Sequence, residues 1–261
     1  MYLNFANNFI EVIMLFIVFL LPIVAFSQVN TNQDTAAFIF AYYPKDGMQS
    51  LFHEGYKRHL QWHKEKKDKT IWYGWYVTVG KRTGMFIDGA FGIPFAAFDS
   101  RIDPSGDMAD FIQTTAPFAD IAYRTVYTLR SDISTATPLE HKKPSDSIQV
   151  FYYKVNYGHE KKFEKTIRTI NTNLKQLKDE LKHTWYELTV GGDQPSYLLM
   201  VMRENWSSYG TNNAFLTNVI EKKVEANEVD RILKTLSESV KAVESEVWKY
   251  QPDLSYIPKS K

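Results

Sequence analysis

The sequence predicts a duplicated α+β fold, and three observations lead to this prediction. Residues 71–80, IWYGWYVTVG, and residues 183–192, HTWYELTVGG, are nearly the same aromatic strand. FAYYPKDG (40–47) resembles VFYYKVNYG (150–158), and both matches have one spacing, since 152 − 42 = 110 and 185 − 75 = 110. TVYTLRSDIS (125–134) aligns without a gap with EVWKYQPDLS (246–255), and 246 − 125 = 121. We therefore interpret the chain as two copies of one unit, the second with a longer insertion before its last strand.

Each element of the first copy is predicted from its hydrophobic pattern, since apolar runs indicate strands and amphipathic stretches indicate helices. In chain order these elements are a strand at 36–43, a helix at 48–67, strands at 72–79 and 85–91, a short helix at 107–114 and a strand at 123–129. Asp103-Pro104 precedes the short helix, where Asp is a favoured N-cap and Pro a favoured first helical residue.

The second copy repeats this order. Its elements are a strand at 148–155, a helix at 159–182, strands at 184–190 and 197–203, a helical stretch at 213–243 broken near 226–227, and a strand at 247–250. Steps of four and three residues separate the apolar positions of its first helix, which are Phe163, Ile167, Ile170, Leu174, Leu177 and Leu181. The order β-α-β-β-α-β is that of the ferredoxin-like unit. We therefore predict units at 36–134 and 147–257, joined by the Pro-containing polar linker 135–146.

The predicted strands carry apolar or aromatic residues on both faces, as in AAFIFAYY and SIQVFYYKV. A sheet with one face in water alternates apolar with polar residues, so both faces here should be covered, one by helices and one by the other sheet. The predicted fold class is α+β, with two tandem ferredoxin-like units packed sheet to sheet. In this topology, over residues 36–257, the chain resembles the dimeric α+β barrel superfamily, which includes antibiotic-biosynthesis-monooxygenase-like and NIPSNAP-like domains. The resemblance implies a single-chain α+β barrel and assigns no functional residue.

The N-terminal stretch has the pattern of a signal peptide. Residues 12–26 form an apolar run interrupted only by Pro22, and Ala25-Phe26-Ser27 fits a cleavage site for small residues. We expect residues 1–27 to be removed, Gln28 to begin the mature chain, and the protein to be exported to the periplasm or the medium without stable membrane insertion. An uncleaved anchor is the alternative, although such a run is short beside the roughly 20 residues of a membrane span.

Composition excludes several classes of function. The chain has no cysteine, which excludes disulfides, thiolate metal sites and a cysteine nucleophile. Its formal net charge is +1, so nothing favours nucleic acid as a partner. Aromatic residues make up 15% of the chain, and they fill cores as readily as they line ligand pockets.

His59 and His63 form an H-x-x-x-H pair on one face of the first predicted helix. Aligning Phe52 with Phe163 places them opposite Ile170 and Leu174, on the packing stripe. We expect two partly buried, hydrogen-bonded histidines, and therefore no metal and no cofactor, with Leu60 facing inward as a variant of this interpretation. The alternative is that the pair binds a metal or haem, or acts as a general base.

The unusual polar residues within the predicted strands are Asp88, Arg124, Glu187 and Arg203. A charge among apolar strand residues must be paired or hydrated, so these residues either face solvent and form salt bridges, which we favour, or mark a wet lumen that binds a ligand. The candidate ligand-binding set is Tyr43, Trp75, Asp88, Arg124, Tyr153, Trp185 and Arg203.

These observations leave three functions open. The leading hypothesis is an exported α+β barrel that binds a small apolar or aromatic ligand. The second is an enzyme, cofactor-independent and oxygenase-like or haem-dependent, that uses the lumen with His59 or His63 as base or ligand. The third is a scaffold for protein association. A homodimer is compatible with each of them.

Overall fold

The computed structural model describes residues 35–136, 145–174, 182–210 and 225–258. The first unit contains β1 (Thr35–Pro44), α1 (Gln49–Glu65), β2 (Tyr73–Val79), β3 (Phe86–Pro94), α2 (Pro104–Thr114) and β4 (Ala119–Leu129). The second unit contains β5 (Ser147–Val155), α3 (Glu160–Leu174), β6 (His183–Val190), β7 (Ser196–Arg203), the one-turn α4 (Ser207–Gly210), α5 (Ala226–Ser239) and β8 (Val240–Tyr250). The predicted signal peptide, most of the predicted linker and residues 175–181 and 211–224 lie outside the described residues.

The strands form one closed antiparallel barrel in the order β1-β3-β2-β8-β5-β7-β6-β4. Each unit contributes four neighbouring strands, and the last strand of each unit pairs with the other unit, β8 with β2 and β4 with β6. The predicted fold class, two ferredoxin-like units joined as a single-chain α+β barrel, is confirmed. No helix in the described part of the chain is long and apolar enough to span a membrane.

The barrel interior is a packed hydrophobic core with side chains from all eight described strands. Trp75 and Trp248 are fully buried there, with ring centroids 5.7 Å apart. An aromatic side chain buries roughly 150–250 Å², which at about 25 cal/mol per Å² corresponds to at most about 4–6 kcal/mol. The two tryptophans therefore contribute substantially to the stability of the fold.

The repeat spacing within the strands is 111 residues, and the predicted 110 is wrong. Tyr42, Phe86 and Tyr76 lie side by side in the first unit, whereas Tyr153, Tyr197 and Glu187 do so in the second. The differences are 153 − 42 = 111, 197 − 86 = 111 and 187 − 76 = 111. A shift of one residue moves a strand side chain to the opposite face.

The shift explains the different environments of the two aligned tryptophans. Trp75 faces the barrel interior, whereas Trp185 packs under the helices of the second unit, although both lie on topologically equivalent strands. Their strands carry aromatic residues on both faces, so residue similarity tolerates a slip of one position. The spacing of 121 for the last strand holds, since Tyr127 and Trp248 both face the interior.

The predicted helix extending to residue 243 is also wrong at its end. The helix α5 stops at Ser239, and β8 begins at Val240, seven residues before the predicted strand start of 247 (247 − 240 = 7). β8 pairs with β5 along this whole stretch, from Val240 opposite Val155 to Lys249 opposite Ser147. The backbone hydrogen bonds that β5 offers along its edge outweigh local helix propensity here.

Helices cover the outer faces of both units. In α3 the buried face is apolar, with Phe163, Ile167 and Ile170 packed on the sheet. In α1 the equivalent positions, 111 residues earlier, are Phe52, Tyr56 and His59, and all three are buried. The first unit therefore places a polar side chain where the second unit has isoleucine, and this substitution begins the candidate site.

Candidate functional site

A cleft lies between α1, α2 and the outer face of β1 and β3. It contains two cavities of about 490 and 90 Å³ that share five lining residues. These five residues, which define what we call the α1–α2 cleft, are Phe38, His63, Trp72, Arg101 and Asp107. The larger cavity also includes Ile93 and Phe98 together with Lys67, Asp68 and Lys69, so its walls combine apolar and charged side chains.

His59 and His63 lie one helical turn apart at the inner end of this cleft, and both are buried. His59 donates from Nδ1 to Asp110 Oδ2 at 2.7 Å, and its Nε2 lies 3.3 Å from Asp107 Oδ1. His63 donates from Nδ1 to Asp68 Oδ2 at 2.9 Å, and its Nε2 lies 3.6 Å from the same Asp107 oxygen. Both Nε2 atoms are therefore directed at one carboxylate, while both Nδ1 atoms are held by two others.

Asp107 and Asp110 lie on α2, and a side-chain cap at Asp103 fixes where this helix begins. Asp103 is the predicted N-cap, its side chain accepts a hydrogen bond from the Gly106 amide, and Pro104 begins the helix. Asp107 and Asp110 are three residues apart and so share a face.

Close contact between the two helices depends on Gly55. A Cβ at Gly55 would lie 2.0 Å from the carbonyl oxygen of Thr114, so the backbones approach each other where α1 lacks a side chain. This contact brings the carboxylates of α2 to the histidines of α1.

Asp68 is held in place after the end of α1. It accepts hydrogen bonds from the Thr70 amide at 2.9 Å and from Trp72 Nε1 at 3.1 Å, in addition to His63. Burial raises the pKa of Asp68, but the hydrogen bonds from His63, Thr70 and Trp72 outweigh this and lower the pKa to about 2. Asp68 is therefore an ionised carboxylate that fixes the orientation of the His63 ring.

The pKa of His59 is raised, whereas that of Asp68 is lowered. Burial by itself lowers the pKa of His59, but the hydrogen bonds to Asp107 and Asp110 more than reverse this effect and raise the pKa. The acidic surroundings therefore favour a positive charge between the helices.

Asp88 lies in the middle of the outer sheet face, opposite Phe40 on β1 and Gly74 on β2. It is only 7% exposed, lines the smaller cavity and is hydrogen-bonded by Tyr56. Its Oδ1 has no hydrogen-bond partner among the described residues. Burial raises the pKa of Asp88 to about 7. Asp88 is thus a buried carboxyl group with one oxygen free to contact a ligand.

Two arginines border the cleft. Arg101 forms an ion pair with Asp107 and lies with its guanidinium carbon 5.9 Å from the centroid of Trp72. Arg124 lines the smaller cavity, its guanidinium carbon is 5.2 Å from the centroid of Phe40, and it forms no ion pair with a described residue. A cation at the mouth of the cavity is therefore available to a ligand.

The structure brings together four of the predicted candidates, His59, His63, Asp88 and Arg124, around the smaller cavity. The others lie elsewhere. Tyr43 and Trp75 belong to the barrel interior, and Tyr153 and Trp185 lie under the helices of the second unit. Arg203 is bonded to Gln149 and to the carbonyl of Ser208.

The predicted charged strand residues do not line a wet lumen. Asp88 and Arg124 are on the outer face, and Glu187 forms an ion pair with Arg130 at 2.7 Å, as the favoured salt-bridge interpretation predicts for that residue. The lumen interpretation is therefore wrong for Asp88, Arg124 and Glu187.

Sequence reasoning missed Asp68, Asp107, Asp110 and Arg101 as members of a site. The sequence could have placed Asp107 and Asp110 near a buried site, since they occupy the same helical face as the buried Phe111. Asp68 and Arg101 follow a helix end and an irregular segment, where hydrophobic periodicity gives no orientation.

The arrangement offers metal-ligand chemistry as well as proton transfer. His59, His63 and Asp107 each present one ligand atom, and the three atoms lie within 4.8 Å of one another. The same residues do not fit a haem. Both Nε2 atoms, the ones that would face the iron, point at Asp107 Oδ1, so an axial bond would require this carboxylate to be displaced.

Comparison with known proteins gives similarity of fold alone. No family model and no curated protein matches the sequence. A "putative monooxygenase" from Lactobacillus acidophilus aligns with 85% of this chain and 96% of its own length, with 10% identity and a TM-score of 0.53. A mutant chlorite dismutase from Candidatus Nitrospira defluvii aligns over 86% and 93%, with 9% identity and a TM-score of 0.52. An anthrone oxidase-like protein aligns over 85% and 92%, with 8% identity and a TM-score of 0.50.

These solved structures have dimeric α+β barrel folds of the monooxygenase-like and chlorite dismutase-like kinds. At 8–10% identity the similarity transfers no residue role to this chain. The chain has the fold of an α+β barrel whose polar site lies between the helices and the sheet of its first unit.

Proposed function

We propose that the protein is an oxygenase-like enzyme that acts on a small aromatic or apolar molecule bound in the α1–α2 cleft. The observation that carries this proposal is the convergence of buried polar groups on an aromatic cavity, where Asp88, His59 and His63 meet Phe38 and Trp72. Small-molecule sites are usually apolar cavities of about 300–1,000 Å³ with a few well-placed polar groups. The larger cavity of the cleft, about 490 Å³, lies in this range, and it adjoins the cavity of about 90 Å³ that Asp88 and His59 line.

Asp88 is the group best placed to exchange a proton with the ligand. A carboxyl group with a pKa of about 7 exists in both forms near neutral pH, which suits a general acid or base. Its Oδ1 lacks a partner in the described structure, and a buried oxygen without a hydrogen bond costs free energy. A hydroxyl or carbonyl group of a bound molecule would supply the missing hydrogen bond.

The oxygenase-like character of the proposal rests on analogy of fold. The matched structures include the Lactobacillus acidophilus protein, the anthrone oxidase-like protein and the chlorite dismutase. A binder without catalysis would use the same cleft, whereas a pure association scaffold leaves the buried Asp88 carboxyl without a role. Export and homodimer formation are further proposals that the site neither requires nor opposes.

Two neighbouring alanines allow a matched test of the cleft. Ala97 lines the larger cavity, whereas Ala96 is exposed and is not among its lining residues. Ala97→Phe should fill the cavity and weaken the binding of 2-naphthol at least tenfold in a calorimetric titration. Ala96→Phe adds the same side chain outside the cavity and should leave binding unchanged. Unchanged 2-naphthol binding in Ala97→Phe would contradict the cleft as the ligand site.

Catalysis is tested by dissolved-oxygen uptake with anthrone as the aromatic substrate. The wild-type protein should consume oxygen faster than Asp88→Asn, because asparagine keeps the shape of aspartate but cannot exchange a proton. Equal uptake by the two proteins would remove Asp88 from the reaction. Binding without any uptake would favour the non-catalytic binder.

A further inference from the structure

We infer that His59 Nε2, His63 Nε2 and Asp107 Oδ1 together bind one divalent first-row transition-metal ion at the inner end of the α1–α2 cleft. The inference rests on the proposed function, because it adds an ion to the same site. It reverses the sequence-based expectation of a packing pair without metal. Five observations support it. They concern the spacing of the ligand atoms, the hydrogen bonds behind each imidazole, the charge of the cluster, access to the ion, and the equivalent position in the second unit.

The first observation is the spacing of the ligand atoms. Ligands held at about 2.0–2.2 Å from one ion, at angles of roughly 90–110°, lie about 3.0–3.5 Å from each other. Asp107 Oδ1 lies 3.3 Å from His59 Nε2 and 3.6 Å from His63 Nε2. All three atoms lie within 4.8 Å of one another, so side-chain rotation that brings the two Nε2 atoms closer would let one ion contact every ligand.

The second observation is the support behind each imidazole. A histidine that ligates a metal usually donates its other ring N–H to a carboxylate or carbonyl, which fixes its orientation. His59 donates to Asp110 and His63 donates to Asp68, and in both cases Nδ1 is the donor. Each Nε2 is therefore left to face Asp107.

The third observation is the charge of the buried cluster. Asp68, Asp107 and Asp110 contribute three negative charges, and Arg101, paired with Asp107, contributes one positive charge. Negative charge therefore exceeds positive charge around the two Nε2 atoms, and buried charges of this kind are paired with a cation or bound to a metal.

The fourth observation concerns the chemistry of the three ligands and the access of a bound molecule to the ion. Two imidazoles and one carboxylate favour iron, cobalt, copper or zinc over magnesium or calcium, which prefer oxygen ligands. Three protein ligands leave coordination positions open. The smaller cavity, lined by all three ligands and by Asp88, lies on this open side, so a bound molecule could reach the ion.

The fifth observation is the second unit of the same chain. Its equivalent helix position to His59 is Ile170, which is fully buried in an apolar contact with the sheet. The repeated fold thus forms with isoleucine at this position. A buried histidine bound by two carboxylates is therefore an addition that packing alone does not require.

The test uses the purified protein, stripped with a chelator and titrated with Co²⁺. We expect one ion per chain by elemental analysis and a visible ligand-field absorption that reports nitrogen ligation. Asp107→Asn and His59→Ile should each weaken Co²⁺ binding at least a hundredfold. His53→Gln is the matched control, since His53 lies on the same helix and bonds Tyr76 outside the cluster, and it should bind Co²⁺ as the wild type does.

The outcomes separate this inference from the proposed function. Less than about one ion per five chains, or Co²⁺ binding that survives in Asp107→Asn and His59→Ile with circular dichroism unchanged, would overturn the metal site. Retained 2-naphthol binding in such a metal-free protein would leave the cleft as a ligand site. Loss of 2-naphthol binding in Ala97→Phe with Co²⁺ binding intact would support both claims independently.

Discussion

Asp88→Asn should make the stability of this protein less dependent on pH. In the folded chain burial raises the pKa of Asp88 to about 7, compared with 3.8 for the unperturbed group. Between these values the folded state holds a proton that the unfolded state has lost, so stability falls as pH rises from about 4 to about 7. The difference of 7 − 3.8, about 3 pKa units, corresponds to at most about 4 kcal/mol.

Asparagine removes this pH-dependent contribution to stability and keeps an oxygen that can accept the hydrogen bond from Tyr56. Its buried amide adds a cost of about 1–3 kcal/mol, and this cost is the same at every pH. The difference in unfolding free energy between variant and wild type should therefore shift in favour of the variant by up to about 4 kcal/mol between pH 4 and pH 8. Asp68 is present in both proteins and cancels in the comparison, whereas the pKa of His59, which the charge of Asp88 helps to raise, changes with the variant in the same pH range.

Urea unfolding in the presence of a chelator measures this difference, with circular dichroism as the signal. Both proteins should unfold with the same slope against urea, so that midpoints report stability. A free-energy difference that stays constant within about 0.5 kcal/mol from pH 4 to pH 8 would refute the burial of an unpaired Asp88 carboxyl.

Three further predictions concern the helix contact, the core and the N-terminus. Gly55→Ala places a Cβ against the Thr114 carbonyl, so it should destabilise the fold by about 1–3 kcal/mol and weaken Co²⁺ binding, as thermal unfolding and titration will show. Unchanged Co²⁺ affinity would mean that the helix contact does not set the site. Trp75→Ala should cost about 3–5 kcal/mol in urea unfolding because it empties the barrel interior, and a cost below about 1 kcal/mol would contradict a packed core. N-terminal sequencing of exported protein should begin at Gln28, and an intact first residue would contradict the predicted cleavage.

The topology was predictable because it follows from the order of the secondary-structure elements and from the hydrophobic pattern of the strands. Two copies of β-α-β-β-α-β, with strands apolar on both faces, admit few arrangements other than helices outside and sheet against sheet. The residue register was not predictable from similarity. Trp75 and Trp185 are neighbours of other aromatic residues that face the opposite way, so a slip of one position changes the alignment little and the side-chain environment completely.

The candidate site was predictable only in part. The spacing of His59 and His63 placed both on the buried face of α1, and this placement is confirmed. Their partners come from α2 and from the segment after α1, and the approach of these elements depends on tertiary contacts such as the one at Gly55. The hydrophobic pattern of the strands pointed to the lumen, whereas the cavity lies on the outer face, where Asp88 interrupts an apolar surface.

Anomalous diffraction from a crystal grown with Co²⁺ tests the central claim most directly. We predict one strong peak in the cleft, within bonding distance of His59 Nε2, His63 Nε2 and Asp107 Oδ1, with its remaining positions open toward Asp88 and Phe38. A well-ordered cluster without a peak at this position, its histidines bonded only to the three carboxylates, would contradict the claim.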